Sequence, residues 1–411
     1  MPGVSRILLR MEPLKASPAK APPAPGPKGW APFALGFRPF FLLAALSALI
    51  LIALWPFVWQ GLLTLPAHYD PISWHAHEML FGYSVAVIAG FLLTAVGNWT
   101  GEATWTGRRL ALLAAVWLLG RVLPWLPGVP LWLLVSVDGA FLPLLALSLV
   151  QPLWRGQNRA NRVFVPLLLL MGLVGVLSQL QMLGMVSGLG DMRRVMLELI
   201  LAIIVLVGGR VMPFFTQNVL PGFTATQRPW VERLTLASLA LLVLAQASGA
   251  VPGVWLGILW LVFAGLQAIR LAGWFSPRVV HIPVLWVLHA GYAWLVLGSL
   301  LTALAAFGAF PAAAALHALT VGAIGVFTLG MMSRVAHGHS GRSIDVTRPV
   351  AAAFVCMNLA AVIRVFGSAW LTDDYHLWVD LSAALWVLCF ALFAWHYVPI
   401  LLRPRIDGRP G

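Results

Sequence analysis

Between Asp70 and Gly101 the chain reads DPISWHAHEMLFGYSVAVIAGFLLTAVGNWTG. His75, His77 and Glu78 stand at the mouth of a hydrophobic run long enough to cross a bilayer. Ionisable and ligand-type side chains are costly in lipid, so they usually face a protein interior and act there. Imidazole is the commonest metal ligand. Two further histidines, His289 and His317, fall inside later apolar runs, where hydrocarbon offers no polar partner. The chemistry these residues allow is metal ligation. The plainer use of the same side chains is interhelical hydrogen bonding.

Spacing narrows the options. Asp70 followed by Pro71 reads as a helix N-cap and first helical position. A helix starting there sends His75 and His77 to nearly opposite faces, whereas an irregular start lets them chelate together. His289 and His317 are expected to differ by only about 9 Å in depth, from the rises of oppositely directed spans in a ~30 Å core. His337 and His339 fall in the sequence RVAHGHSGR, read as a loop in which His337 is solvated. His68, His281, His376 and His396 sit near interfaces. Glu198 has Arg193 or Arg194 as its expected partner. Asp138, Asp380, Gln179, Gln181 and Asn358 read mainly as hydrogen-bond partners between helices.

The elements that must position these side chains are membrane spans. The 411 residues are 61% hydrophobic and 9% charged, far from the quarter charged that soluble domains carry. Twelve spans are expected, at 38–59, 74–97, 109–124, 130–151, 163–186, 194–214, 231–249, 253–273, 281–307, 311–333, 348–370 and 376–401. The third is short. The fold class is therefore all-α: a polytopic membrane helix bundle over residues 31–402. A Pro-, Ala- and Lys-rich disordered tail (1–30) precedes it and a second tail (403–411) follows.

The net charge of +13 belongs to this topology. Of 26 Lys and Arg, 22 fall in the tails and even-numbered connections. Only Arg121, Arg193, Arg194 and Arg364 fall on the other side. The positive-inside rule then places both termini in the cytoplasm. The basic charge is an orientation signal rather than a nucleic-acid face. Arg38, Arg210, Arg334 and Arg342 gather on the basic side, either to clamp an anion or simply to mark that face. Cys356 and Cys389 both lie in spans, so no disulfide is expected, and no C-x-x-C-H motif offers covalent haem attachment. Gly120–Trp125 and Gly209–Phe214 echo one another three spans apart, as inverted repeats do.

Five segments together resemble one family: Gly36–Phe41, Trp74–Gly82, Ala89–Val96 with Asn98–Gly101, Gly209–Thr216, and His317–Gly322 continuing through Arg334 to His339–Arg342. Their order and content are similar to the NnrS family of bacterial twelve-span membrane proteins. The resemblance implies a haem- and copper-containing inner-membrane protein tied to nitric oxide metabolism or nitrosative-stress tolerance, meeting nitric oxide or iron-nitrosyl species. On that pattern His75, His77 and His317 occupy motif positions. His289 does not, but its depth keeps it among the cofactor candidates. His75, His77, Met79 and His317 are the metal candidates, with haem b and copper as the cofactors. Gly97 stands where the pattern has proline. His337 departs from the pattern, whereas His339 fits it. The alternative is a secondary transporter of a small solute or ion. An oxidase-type catalytic subunit is disfavoured, because the chain lacks a His-His pair and has few deep histidines. Whether the protein is an enzyme is left open by the residues.

Overall fold

The computed structural model describes residues 29–66, 68–409 and 411. The expected disordered tail, residues 1–30, lies outside the described residues except for its last two. Among the described residues, besides short helical turns at Leu123–Trp125 and Pro277–His281, twelve longer helical units follow in order: α1 (Phe37–Trp59), α2 (Pro71–Thr100), α3 (Gly107–Val122), α4 (Leu131–Arg155), α5 (Arg159–Met182), α6 (Met192–Val219), α7 (Pro229–Ser248), α8 (Gly253–Trp274), α9 (Pro283–Ala306), α10 (Ala312–His339), α11 (Arg348–Trp370) and α12 (Thr372–Leu402). No strand occurs among the described residues. Eleven of the units are long and apolar enough to cross a membrane; α3, with 16 residues, is the short one. This is a multi-pass membrane protein. Helices are the form that satisfies every backbone group within the segment in lipid.

The helices are not equivalent. In their most apolar stretch, α2 is 89% and α6 78% buried inside the protein, against 28% for α7. A helix apolar all round and enclosed by others forms the centre of a bundle. The residue carriers α2 and α10 are central and joined directly: the Tyr83 hydroxyl and the Thr328 hydroxyl hydrogen-bond at 2.7 Å. Glycines set the approach of α9 to α10. A Cβ on Gly291 would lie 2.7 Å from the Phe327 backbone nitrogen, and one on Gly322 would lie 2.6 Å from the Trp294 indole. Backbone at Phe327 cannot give way as a side-chain tip can. Gly291→Ala is therefore expected to cost about 1–3 kcal/mol through overpacking, read as a lowered midpoint in thermal unfolding. An unchanged midpoint would mean that the two helices do not pack this closely.

The start of α2 follows its sequence. Asp70 is the N-cap, its side chain accepting from the Ser73 amide at 3.0 Å, and Pro71 takes the first position. Burial alone would raise the Asp70 carboxyl. The hydrogen bonds from Ser73 and Ile72 and the nearby Arg193 outweigh burial and hold it below the usual carboxylate range. The resulting stabilisation is present above the unfolded carboxyl pKa and is lost as the pH falls through the depressed folded value. Asp70→Ala should cost roughly 1 kcal/mol at neutral pH. That difference from wild type should shrink in acid; a difference independent of pH would exclude the cap.

Three of the central helices widen locally. Glu78–Ser84 in α2, Ala318–Val326 in α10 and Ile363–Gly367 in α11 are π-helical. Such widenings re-aim side chains within a continuous helix and are frequent at functional sites.

Candidate functional site

Among the described residues, 17 arginines belong to one end of the bundle and four to the other, which makes the two ends distinct, an arginine-rich end and an arginine-poor end. The three π stretches lie towards the arginine-poor end. The first begins immediately after His77, the second immediately after His317, and the third contains Arg364.

His75 and His77 diverge, as the helical start requires. The His75 ring stacks on Trp55 of α1, with centroids 4.1 Å apart and planes at 29°. It makes no hydrogen bond to another described residue within range. His317 Nδ1 meets the Ala313 carbonyl at 2.6 Å. A carbonyl only accepts, so Nδ1 carries the proton and Nε2 keeps its lone pair, the tautomer suited to ligation. The first turns of α10 pack against the π stretch of α11. Arg364 lies there within electrostatic reach of both His75 and His317, and the two histidines are within reach of each other. Arg364 is 9% exposed, and its guanidinium donates to Ser368 Oγ at 3.0 Å and Tyr375 Oη at 3.2 Å. Both partners are neutral. No carboxylate among the described residues pairs with this buried cation, and a buried charge is stable only when paired.

His77 turns the other way. Its Nε2 lies 3.2 Å from Asp138 and 3.3 Å from the Arg121 guanidinium. Arg121 also bonds Asp138 directly and lies 3.5 Å from Glu78. Gln179 donates to Asp138 at 2.5 Å. Gly82 and Gly120 leave room for these groups, since a Cβ on either would lie 2.9 Å from Arg121 or Asp138 respectively. Tyr69, in the loop before α2, stacks obliquely on His77 with centroids 6.1 Å apart. Burial, then the charge of Glu78, push its phenol above the usual range. This is a closed ionic network among α2, α3, α4 and α5, and it holds α2 in register.

His289 is not brought to the other histidines. Its Nδ1 faces the Leu285 carbonyl at 3.0 Å and its Nε2 the Trp274 carbonyl at 3.3 Å. The glycine contacts set Gly298 against Leu319 and Gly291 against Phe327. His289 then lies about 11 residues, or ~16 Å, along the axis from the level of His317. The expected difference of about 9 Å was too small because it assumed equal span starts and ignored the packing register. Among the described residues no three or more of His, Cys, Asp and Glu converge as a metal cluster. Met79 sits within the first π stretch, partly buried against the core.

Of the four arginines singled out as an anion clamp, Arg38 and Arg342 lie within electrostatic reach of each other, while Arg38, Arg210 and Arg334 each have neighbours of their own. Arg38 is fully buried and donates to the carbonyls of Ile400 (3.0 Å), Leu401 (3.2 Å), Arg403 and Gly411 (2.8 Å). It satisfies the last carbonyls of α12, which no helical amide reaches. Arg210 bonds Asn161 and lies over Trp99 and Phe164. Arg334 lies 3.5 Å over the Phe215 ring. Arg342 lies beyond the end of α10.

A second expectation is overturned. His337 is not in a solvated loop. The helix α10 runs on to His339, and His337 is 5% exposed, with Nδ1 2.6 Å from the Ser343 carbonyl and its ring stacked on His396. Polar spacing around two glycines suggested a loop; packing against α12 keeps the helix. Of the two expected partners of Glu198, Arg193 turns to Asp191 and Ser73, whereas the exposed Arg194 stays within electrostatic reach without an ion pair at salt-bridge distance. The cysteines are both free thiols, as expected.

The sequence reading missed the roles of Arg121 and Arg364, both counted only as rare charges on the poor side. Their setting was the available signal: each stands in an apolar stretch, where a cation needs a partner.

These features define a polytopic helical membrane protein with a polar histidine–arginine site between central helices. The NnrS protein family matches residues 31–405, and the chain belongs to that family. No curated relative matches it.

Proposed function

We propose that the protein binds haem b at its arginine-poor end and acts in nitric oxide metabolism or nitrosative-stress tolerance in the bacterial inner membrane, with both termini cytoplasmic. One observation carries the reading: His75, His317 and Arg364 share one neighbourhood on three helices, each with a π stretch at or near that residue. The donor set fits the group. His317 has a bare Nε2, His75 has an imidazole free of hydrogen bonds to its neighbours, and Arg364 lacks an anionic partner that haem propionates would supply. His75 and His317 would hold the iron, Trp55 would fix the His75 ring plane, and Arg364 would neutralise a propionate. The haem, when bound, would supply an iron that takes nitric oxide in place of one imidazole. Family membership supports the nitric oxide link.

Copper fits less well. His77 Nε2 is engaged by Asp138 and Arg121, and no cluster of three acidic, thiol or imidazole ligands forms among the described residues. No step is assigned to copper. The transporter alternative draws on twelve spans, but transporters bind at unwound, discontinuous helices. Here α2, α10 and α11 stay helical through their interruptions.

The test is addition of nitric oxide to the reduced, detergent-purified protein. The expected result is a shifted Soret band that returns on removal of the gas. A haem spectrum indifferent to nitric oxide would refute the nitric oxide role while leaving haem binding intact.

A further inference from the structure

On the other face of α10 from His317 lies a cavity of about 150 Å³ that the haem reading does not use. It opens among the arginine-poor ends of α6, α7, α8, α9 and α10. Its polar lining is Arg194, Glu198, Gln246 and Thr302. Small residues at the helix ends, among them Gly253, Ala305 and Ala312, make the space. Glu198 is 2% exposed, and its Oε2 has no hydrogen-bond partner. Arg194, one turn earlier on α6, is exposed at the rim and forms no ion pair with it at salt-bridge distance. Arg193 is held by Asp191 at 3.0 Å.

We infer that Glu198 and this cavity form a proton-loading site, in which a buried carboxyl exchanges its proton with water admitted from the arginine-poor face. A space of this size holds roughly five waters at their liquid volume of about 30 Å³ each. An ionised carboxylate buried without a partner is strongly disfavoured, whereas a protonated one donates to water. The titratable and charged groups facing Glu198 are few. Arg194 is the one on its own helix. The linings from α7, α8, α9 and α10 contribute Gln246, Trp260, Thr302 and apolar residues, none of which titrates near neutrality. The exchange needs no redox partner. A hydronium O–H bond breaks as the Oε2–H bond forms, and the carboxylate charge is cancelled.

The test combines infrared spectroscopy and carbodiimide labelling of the intact purified protein. The wild type should show a protonated-carboxyl band that shifts promptly in deuterated water and is absent in Glu198→Gln. Hydrophobic dicyclohexylcarbodiimide, which modifies protonated carboxyls in apolar surroundings, should label Glu198 in peptide mapping, and the labelling should fall as pH rises. Ala305→Leu, which fills the cavity, should slow the deuterium shift at least tenfold while haem content stays unchanged. A band that does not exchange, labelling independent of pH, or exchange unaffected by Ala305→Leu would each overturn the assignment. These outcomes are independent of the haem result.

Discussion

His317→Ala should lose most of its haem, and the His75→Ala, His317→Ala double variant should lose essentially all. His289→Ala and His396→Ala should keep it. The pyridine haemochrome of purified protein, normalised to protein and checked for membrane expression, measures this. The reason is geometric. His317 presents Nε2 with its proton already committed on Nδ1, and His75 stacks on Trp55 without a hydrogen-bonding neighbour. His289 meets carbonyls at both ring nitrogens, so its loss should cost only packing. Arg364→Gln should bind haem more weakly without abolishing it, since it removes a charge and not a ligand. Full retention of haem in the double variant would move the cofactor elsewhere.

The second large effect is on stability. Arg121→Ala should destabilise the protein by about 3–5 kcal/mol, because the buried Glu78 and the half-buried Asp138 are left without their cation. Asp138→Asn should cost less, since Arg121 retains Glu78 at 3.5 Å. Cys389 is fully buried and Cys356 half-buried, so a thiol-reactive fluorogenic probe reports unfolding during a thermal ramp. Equal midpoints for wild type and Arg121→Ala would show that the network contributes nothing net to stability.

The membrane architecture was legible because its signals are additive. Apolar run length and charge asymmetry are summed over many residues, so the expected spans match the observed helices to within a few residues at most ends. Span two is the clearest case: Asp70 and Pro71 fix its start by local chemistry. The divergence of His75 and His77 followed from that start alone. Pairing between helices was not legible. Nothing near Arg121 in sequence names Asp138 as its partner, and a π widening leaves no compositional mark. The depth of His289 against His317 failed for the same reason, since register is set by Gly291, Gly298 and Gly322 meeting particular side chains. The fate of Arg38 was hidden too. Its partners are backbone carbonyls more than 360 residues away.

The central claim is most directly tested by the optical spectrum and metal content of detergent-purified wild-type protein from haem-replete cells. The account predicts a Soret band from non-covalent haem, extractable into acid acetone, at close to one haem per chain. A colourless preparation, correctly folded and free of iron, would contradict it.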